Sequence, residues 1–370
     1  MTNAGVDFPL APSELTAEWL TRVLREGGRL STARVTSFAT RVVGEGVGFV
    51  GQLARIRLQY DRPEAAAPSS LVGKFPSPNE GARQTAAIFG VYAREVGFYQ
   101  DLGDTVVMGT PRCYYAAITL DRSGFLLLLE DLDNGRFGDQ VTGCSPAEAR
   151  LILAELAKLH AQWWNSPTLE GFPWMTKGTD LVRGTIQAAY AATWPVFLER
   201  FREELTPRAL EHSPALGQRL LPLLDRYDQR TYFTFAHSDF RLDNIFFPAA
   251  GEERRIVVVD WQGSLRAWSG AYDVAYFLGT SITTEALRAH RTELIQGYHQ
   301  ALESLGVGDY PYDQFYQDCR EGLLFAFAII GVIAGGMLDI VNERAVDLYK
   351  SFFSRLLAAI EDENAWELAP

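Results

Sequence analysis

Cysteine is scarce in this sequence. Cys113, Cys144 and Cys319 are the only three, far apart and without a Cys-x-x-Cys pair. The spacing gives no sign of a zinc site, and the odd number argues against a disulfide framework. Free thiols in a reducing, cytoplasmic compartment are expected. A long hydrophobic run is also missing. Leu323 to Leu338 is short of the roughly 20 apolar residues that span a bilayer, and it contains Gly331, Gly335 and Gly336. A buried helix is the better reading, and no membrane partner is expected. The N-terminus has no basic region ahead of an apolar core, so it does not read as a signal peptide. No basic stripe offsets a net charge of −12, which argues against non-specific nucleic-acid binding. There is no internal repeat and no low-complexity tract.

What remains is an ordinary globular composition. The 370 residues are 47% hydrophobic and 22% charged, enough for a large core and about two domains. The oligomeric state leaves no trace in it.

The most informative stretch runs from His237 to Asp260, beginning His237-Ser238-Asp239-Phe240-Arg241-Leu242-Asp243-Asn244. Two strand-like runs follow, Ile245-Phe246-Phe247 and Ile256-Val257-Val258-Val259, around a Pro-Ala-Ala-Gly turn, and the second ends on Asp260-Trp261-Gln262. A hairpin here brings Asn244 and Asp260 to neighbouring strand ends. An Asp, an Asn five residues on and a second Asp at the end of a buried strand form a phosphoryl-transfer constellation. The first Asp can accept a proton from an attacking hydroxyl. The Asn amide oxygen and the second Asp can hold Mg²⁺ on nucleotide phosphates. An acidic chain can bind ATP when a lysine and metal ions invert the local field.

His-x-Asp-x-x-x-x-Asn followed by Val-Val-Asp-Trp resembles the aminoglycoside phosphotransferase-like kinases. The wording Asp-Phe-Arg-Leu-Asp-Asn is similar to the branch holding ecdysteroid-kinase-like proteins and hydroxyacyl-CoA kinase-like domains. The sequence departs from the common form at Ser238, where Gly is frequent, and at Trp261-Gln262, where protein kinases have Phe-Gly. Neither departure removes a needed functional group.

Val35 to Val43 and Leu53 to Tyr60 read as strands flanking Gly44-Glu45-Gly46-Val47-Gly48-Phe49-Val50-Gly51. A dinucleotide fingerprint needs a helix after the glycines. Here a strand follows, which makes a lid whose backbone N–H groups can close over phosphates. Gly46 and Gly48 are the candidate cofactor-binding glycines, although more than one register fits. Leu71 to Phe75 is a short strand holding Lys74, and a lysine inside an apolar strand is costly unless its charge is paired. The resemblance makes Lys74 the phosphate-binding lysine. Its expected partner is Glu95, in a helical segment Ala82 to Leu102, with Glu80 as a second nearby carboxylate.

Pro111 to Thr119 and Gly124 to Leu129 read as two more strands. The resemblance implies that adenine is read by backbone groups at Glu130 and Leu132, just beyond them. Asp133 to Gly143, polar and glycine-bearing, is the expected boundary. Ser145-Pro146-Ala147-Glu148 is a capping box that opens a helix to about Trp164, with His160 in its apolar stripe as a structural residue. Lys177 to Tyr227 and Thr284 to Ala365 are helical by pattern. Trp163, Trp164, Trp174, Trp194 and Trp268 fit either the core or an apolar acceptor site. Asp273 fits either a buried brace for the loop at His237 or a plain first-turn carboxylate. Asp243 is expected to serve loop structure or meet solvent. The interval from Asp260 to Asp273 is too short for a long activation segment, and no Ala-Pro-Glu follows, which points to a small-molecule kinase.

The expected fold is therefore α+β and protein-kinase-like, with two lobes. Residues 1–132 would form an antiparallel-sheet, nucleotide-binding N-lobe. Residues 133–370 would form a mostly helical, catalytic and acceptor-binding C-lobe, with the nucleotide in the cleft near Glu130 to Gly143. The expected reaction transfers the ATP γ-phosphoryl group to a hydroxyl of a small-molecule acceptor, with ATP and Mg²⁺ as cofactors. Asp239 acts as base, Asn244 and Asp260 hold the metal, and Lys74 with Glu95 steadies the phosphates. Aminoglycoside, hydroxyacyl thioester, steroid-like alcohol and choline-like amine remain open as acceptors. The alternatives are a catalytically silent nucleotide-binding protein and an acceptor-binding module that never uses ATP.

Overall fold

Thr16 caps the first helix, α1 (Ala17–Glu26), by accepting the Trp19 backbone N–H at 3.1 Å. Leu20, Val23 and Leu24 on one face of α1 are buried against a sheet. The computed structural model describes residues 7–43, 51–334 and 343–368. Two compact units divide the chain. The first comprises Met1–Val106 and Thr110–Asn134, the second Val107–Gly109 and Gly135–Pro370.

The sheet of the first unit contains β1 (Val35–Val43), β2 (Gly51–Tyr60), β3 (Ser70–Pro76), β4 (Cys113–Ile118) and β5 (Phe125–Glu130), in the order β1-β2-β3-β5-β4. All neighbouring pairs are antiparallel. The alternation read in β2 is observed: Ala54, Ile56 and Leu58 are buried while Leu53 and Arg57 are exposed. Strand pairing on both sides of the Gly-rich stretch excludes a strand–helix dinucleotide unit. Gly46 and Gly48 themselves lie outside the described residues.

The helix expected over Ala82 to Leu102 is broken. α2 (Glu80–Ile88) ends before Gly90, whose φ of +65° is the left-handed conformation that glycine adopts without steric penalty. A new helix, α3 (Val91–Gly97), starts there and widens into a π-turn over Phe98–Leu102.

The second unit holds two small sheets and the remaining helices. β6 (Gly135–Phe137), β8 (Ile245–Pro248) and β9 (Val257–Val258) form one, β7 (Thr234–Ala236) and β10 (Leu265–Ala267) the other. β6, β7 and β10 carry too few residues to show a period. β6 lies within the Asp133 to Gly143 stretch read as the boundary, and a Cβ at Gly135 would lie 2.2 Å from the Phe247 carbonyl oxygen. Among the described residues the unit's α-helices are α4 (Pro146–Gln162), α5 (Gly178–Phe201), α6 (Pro207–His212), α7 (Leu216–Arg219), α8 (Leu221–Asp228), α9 (Ala271–Ser281), α10 (Thr284–Ser304), α11 (Tyr312–Ala326) and α12 (Glu343–Asp362).

The capping box of α4 is fully formed by Ser145 and Glu148. The helical run read over Lys177 to Tyr227 is four separate helices; Pro195 lies inside α5, whereas Pro207 and Pro222 sit in the first turns of α6 and α8, where the missing N–H is tolerated. Every residue of α9 is buried, with α11 and α12 packed against it. α11 continues as a π-helix through Ala334, so the part of Leu323 to Leu338 that is described is helical, and Leu323 to Ala328 is buried. Trp163 and Trp268 belong to the core, whereas Trp164, Trp174 and Trp194 are half-buried. Among the described residues no helix is long and apolar enough to cross a membrane.

Candidate active site

The loop that follows β7 is fastened to the first turn of α9. Both oxygens of Asp273 accept backbone N–H groups at 2.8 Å, one from His237 and the other from Ser238. Asp273 is fully buried and also meets His160 Nε2 at 3.3 Å, while His160 Nδ1 lies 2.6 Å from the Tyr298 hydroxyl. The brace reading of Asp273 holds, and His160 is a structural residue that helps to seat it. Gly270 makes room for that ring, since a Cβ there would approach His160 Nδ1 to 2.1 Å. Ser238 sits at φ +66°, which accounts for the frequency of glycine at this point of the pattern.

His237 ties the loop to the strand that leads to Asp260. Its Nδ1 accepts the Asp239 backbone N–H at 3.2 Å, which leaves Nε2 as the protonated nitrogen, and Nε2 donates to the Val259 carbonyl at 3.1 Å. Both ring nitrogens are engaged in scaffolding.

The Asp239 carboxylate is held from both sides. Tyr276, one turn along α9 from Asp273, donates its hydroxyl to Oδ1 at 2.9 Å. Asn244 Nδ2 donates to Oδ2 at 3.1 Å and to the Asp239 carbonyl at 2.9 Å. Arg241 Nε is 3.5 Å from Oδ1. Burial pushes the Asp239 carboxyl above its ordinary pKa and the nearby Asp260 charge pushes the same way, with Arg241, His237 and the Tyr276 hydrogen bond opposing. A carboxylate of raised proton affinity, oriented by two donors, has the properties of a general base.

The hairpin brings Asn244 and Asp260 together as read. Ile245 pairs with Val258, and Val259 N–H donates to the Asn244 carbonyl at 3.0 Å. Asn244 uses its amide nitrogen on Asp239, so its amide oxygen is the atom left for a cation. Asp260 leaves the strand in a left-handed conformation, φ +66° and ψ +60°, with Gln262 Nε2 3.3 Å from its carboxylate. Among the described residues no three His, Cys, Asp or Glu side chains converge as a metal cage. One amide and one carboxylate oxygen suit Mg²⁺, which keeps waters and takes phosphate oxygens as its other ligands. Asp243 serves loop structure. Its Oδ1 accepts the Gln140 N–H at 2.9 Å, and its Oδ2 accepts Arg241 Nη1 at 2.8 Å.

In the first unit, Lys74 Nζ lies 2.7 Å from Glu95, with both side chains largely buried. Glu80 opens α2 and is exposed, so the competing carboxylate is not the partner in this unit. Glu130 is pinned to β4's entry: its N–H donates to the Arg112 carbonyl at 2.8 Å, and its carboxylate accepts the Arg112 N–H at 3.1 Å. Asp131 accepts Ser70 Oγ at 2.7 Å and pairs with Arg55 at 2.9 Å. Leu132 is half-buried beside them.

Sequence reasoning missed Tyr276, Arg241 and Gln140. The buried Gln140 joins the loop to α9, accepting the Leu242 N–H at 2.9 Å and donating to the Thr280 carbonyl at 2.8 Å. Tyr276 had a signal, because it lies three residues after Asp273 and so shares a helix face with it.

The profile of the ecdysteroid kinase-like family matches residues 45–306. No curated protein matches the sequence. Among solved structures, a Ralstonia eutropha protein assigned as an aminoglycoside phosphotransferase aligns over 96% of this chain and 98% of its own, with 15% identity and a TM-score of 0.50. Choline kinase from Cryptosporidium parvum aligns over 96% and 98%, with 9% identity and a TM-score of 0.53. The GDP and kanamycin complex of APH(2")-IIia aligns over 95% and 99%, with 15% identity and a TM-score of 0.50. At these identities the likeness is one of fold: the chain has the two-lobed, α+β, kinase-like architecture.

Proposed function

Because the chain belongs to the ecdysteroid kinase-like family, we propose that it is a small-molecule kinase that moves the γ-phosphoryl group of ATP to a hydroxyl of its acceptor. The observation that carries this reading is the state of Asp239, whose carboxylate is oriented by Tyr276 and Asn244 on a loop braced by Asp273. Asp239 takes the proton of the acceptor hydroxyl. Asn244 and Asp260 hold Mg²⁺, which neutralises phosphate charge when bound. In the first unit, Lys74, kept in place by Glu95, contacts the nucleotide phosphates, and the backbone at Glu130 and Leu132 reads the base. The first unit thus serves nucleotide binding, the second catalysis and acceptor binding. Three free cysteines support a reducing compartment, the cytoplasm.

The acceptor oxygen bonds to the γ-phosphorus as its proton passes to Asp239. The bond from that phosphorus to the β-bridging oxygen breaks, and its electron pair leaves with ADP. Most of the acceleration comes from positioning and charge, since phosphoryl transfer asks little covalent help of a protein. Two measurements test the reading. Mg·ATP should raise the melting temperature, because it binds the native state alone. A screen of hydroxylated metabolites with mass detection should find a phosphorylated product. No shift with Mg·ATP would remove the nucleotide from the function, and a shift without any product would leave a nucleotide-binding protein.

A further inference from the structure

Arg241 has no part in the mechanism above, and its surroundings give it one. Its guanidinium sits between two carboxylates, with Nε 3.5 Å from Asp239 and Nη1 donating to Asp243 at 2.8 Å. Asp243 is itself fixed by the Gln140 N–H, so the guanidinium is gripped from one side. A guanidinium carries five N–H donors in a rigid fork. Nη2 has no hydrogen-bond partner among the described residues, and the side chain keeps 21% of its exposure. Arg241 is the only permanently cationic side chain between His237 and Asn244. Asp239, Asp243 and Asp260 all bear on it electrostatically. Three carboxylates by themselves would repel a phosphate, and a cation among them changes that.

We propose that Arg241 is a further catalytic residue, whose free Nη2 donors bind the equatorial oxygens of the phosphoryl group while it passes from ADP to the acceptor oxygen at Asp239. The inference rests on the kinase reading. Arg241 exchanges no proton; it donates hydrogen bonds to a group whose charge spreads over three oxygens in the transition state. The fork stays aimed because Asp243 holds its other side.

The test needs no acceptor. Mg·ADP with aluminium fluoride mimics the phosphoryl group in flight, and binding is followed by calorimetry with and without fluoride. In the parent, fluoride should tighten Mg·ADP by about 10²-fold or more, as transition-state mimics do. Arg241→Gln should bind Mg·ADP as the parent does and lose most of that tightening. Arg241→Lys, which keeps the charge without the planar fork, should fall between. Arg241→Met, which keeps the apolar stem, replaces the Gln variant if that does not fold. On the true acceptor, turnover of the neutral variants should fall about 10²–10³-fold, the loss typical of one transition-state donor. Full tightening in a folded neutral variant, or a parent that binds Mg·ADP and gains nothing from fluoride, overturns the role of Arg241. A parent that does not bind Mg·ADP at all overturns the kinase reading instead, and this inference with it.

Discussion

Tyr276 Oη lies 2.9 Å from Asp239 Oδ1 and donates to it, from the same face of the helix that carries Asp273. One helix thus fixes both the backbone of the loop and the direction of its carboxylate. Tyr276→Phe removes the donor and little else. A hydrogen bond to a charged group contributes about 1.5–3 kcal/mol, so turnover should fall on the order of 10–100-fold with Mg·ATP affinity unchanged. The pH profile should move as well. Asp239 acts ionised, so activity is lost as pH falls through its pKa. The tyrosine hydrogen bond lowers that pKa. Its removal should shift the acid limb of the rate profile to higher pH. An unmoved acid limb would separate Tyr276 from the base.

Asp239→Asn keeps size and much of the hydrogen bonding but cannot take a proton. Turnover should fall by about 10²–10⁴-fold, the usual contribution of a general base, with ATP binding nearly unchanged. Asp243→Asn is the comparison, because Asp243 holds Gln140 and Arg241 rather than the acceptor. It leaves the base intact and only loosens the grip on Arg241, so it should lose less than Asp239→Asn. Both variants are measured at matched folded fraction, by melting curve. Parent-like activity of Asp239→Asn would place the base elsewhere.

Asp260→Ala should lose metal-dependent nucleotide binding. At a free ligand concentration of about 100 times Kd, binding stabilises the native state by about 2.7 kcal/mol. The parent should show a shift of that order with Mg·ATP and the variant little. Equal shifts would mean that the metal is held by other groups.

Asp273→Ala should destabilise the second unit without touching any proposed ligand. The buried N–H of His237 and the part-buried N–H of Ser238 lose their acceptor. The loss should be about 2–5 kcal/mol in urea unfolding, since each unsatisfied buried donor costs about 1–3 kcal/mol. A change below 1 kcal/mol would show that the loop holds its shape unaided.

The sequence by itself determined the parts whose physics is local. Asp239 and Asn244 are five residues apart in one loop, and two β-rich runs around a Pro-Ala-Ala-Gly turn close the hairpin that sets Asn244 beside Asp260. Period-two alternation marked β2, and the capping box marked the start of α4, because each of these patterns is complete within ten residues or so. The three-residue strands β6, β7 and β10 were not legible, since no period fits in so short a run.

Only the tertiary structure decided which distant groups meet. Lys74 takes Glu95 rather than Glu80 because the left-handed Gly90 ends α2 and restarts the chain as α3. Asp273 reaches back 36 residues to His237, and Gln140 reaches forward 102 residues to Leu242. Neither carboxylate nor amide differs in sequence from one facing solvent. Burial makes the choice: a backbone N–H shut away from water needs an acceptor, and the packing of α9 against α11 and α12 brings Asp273 and Tyr276 to the loop that needs them.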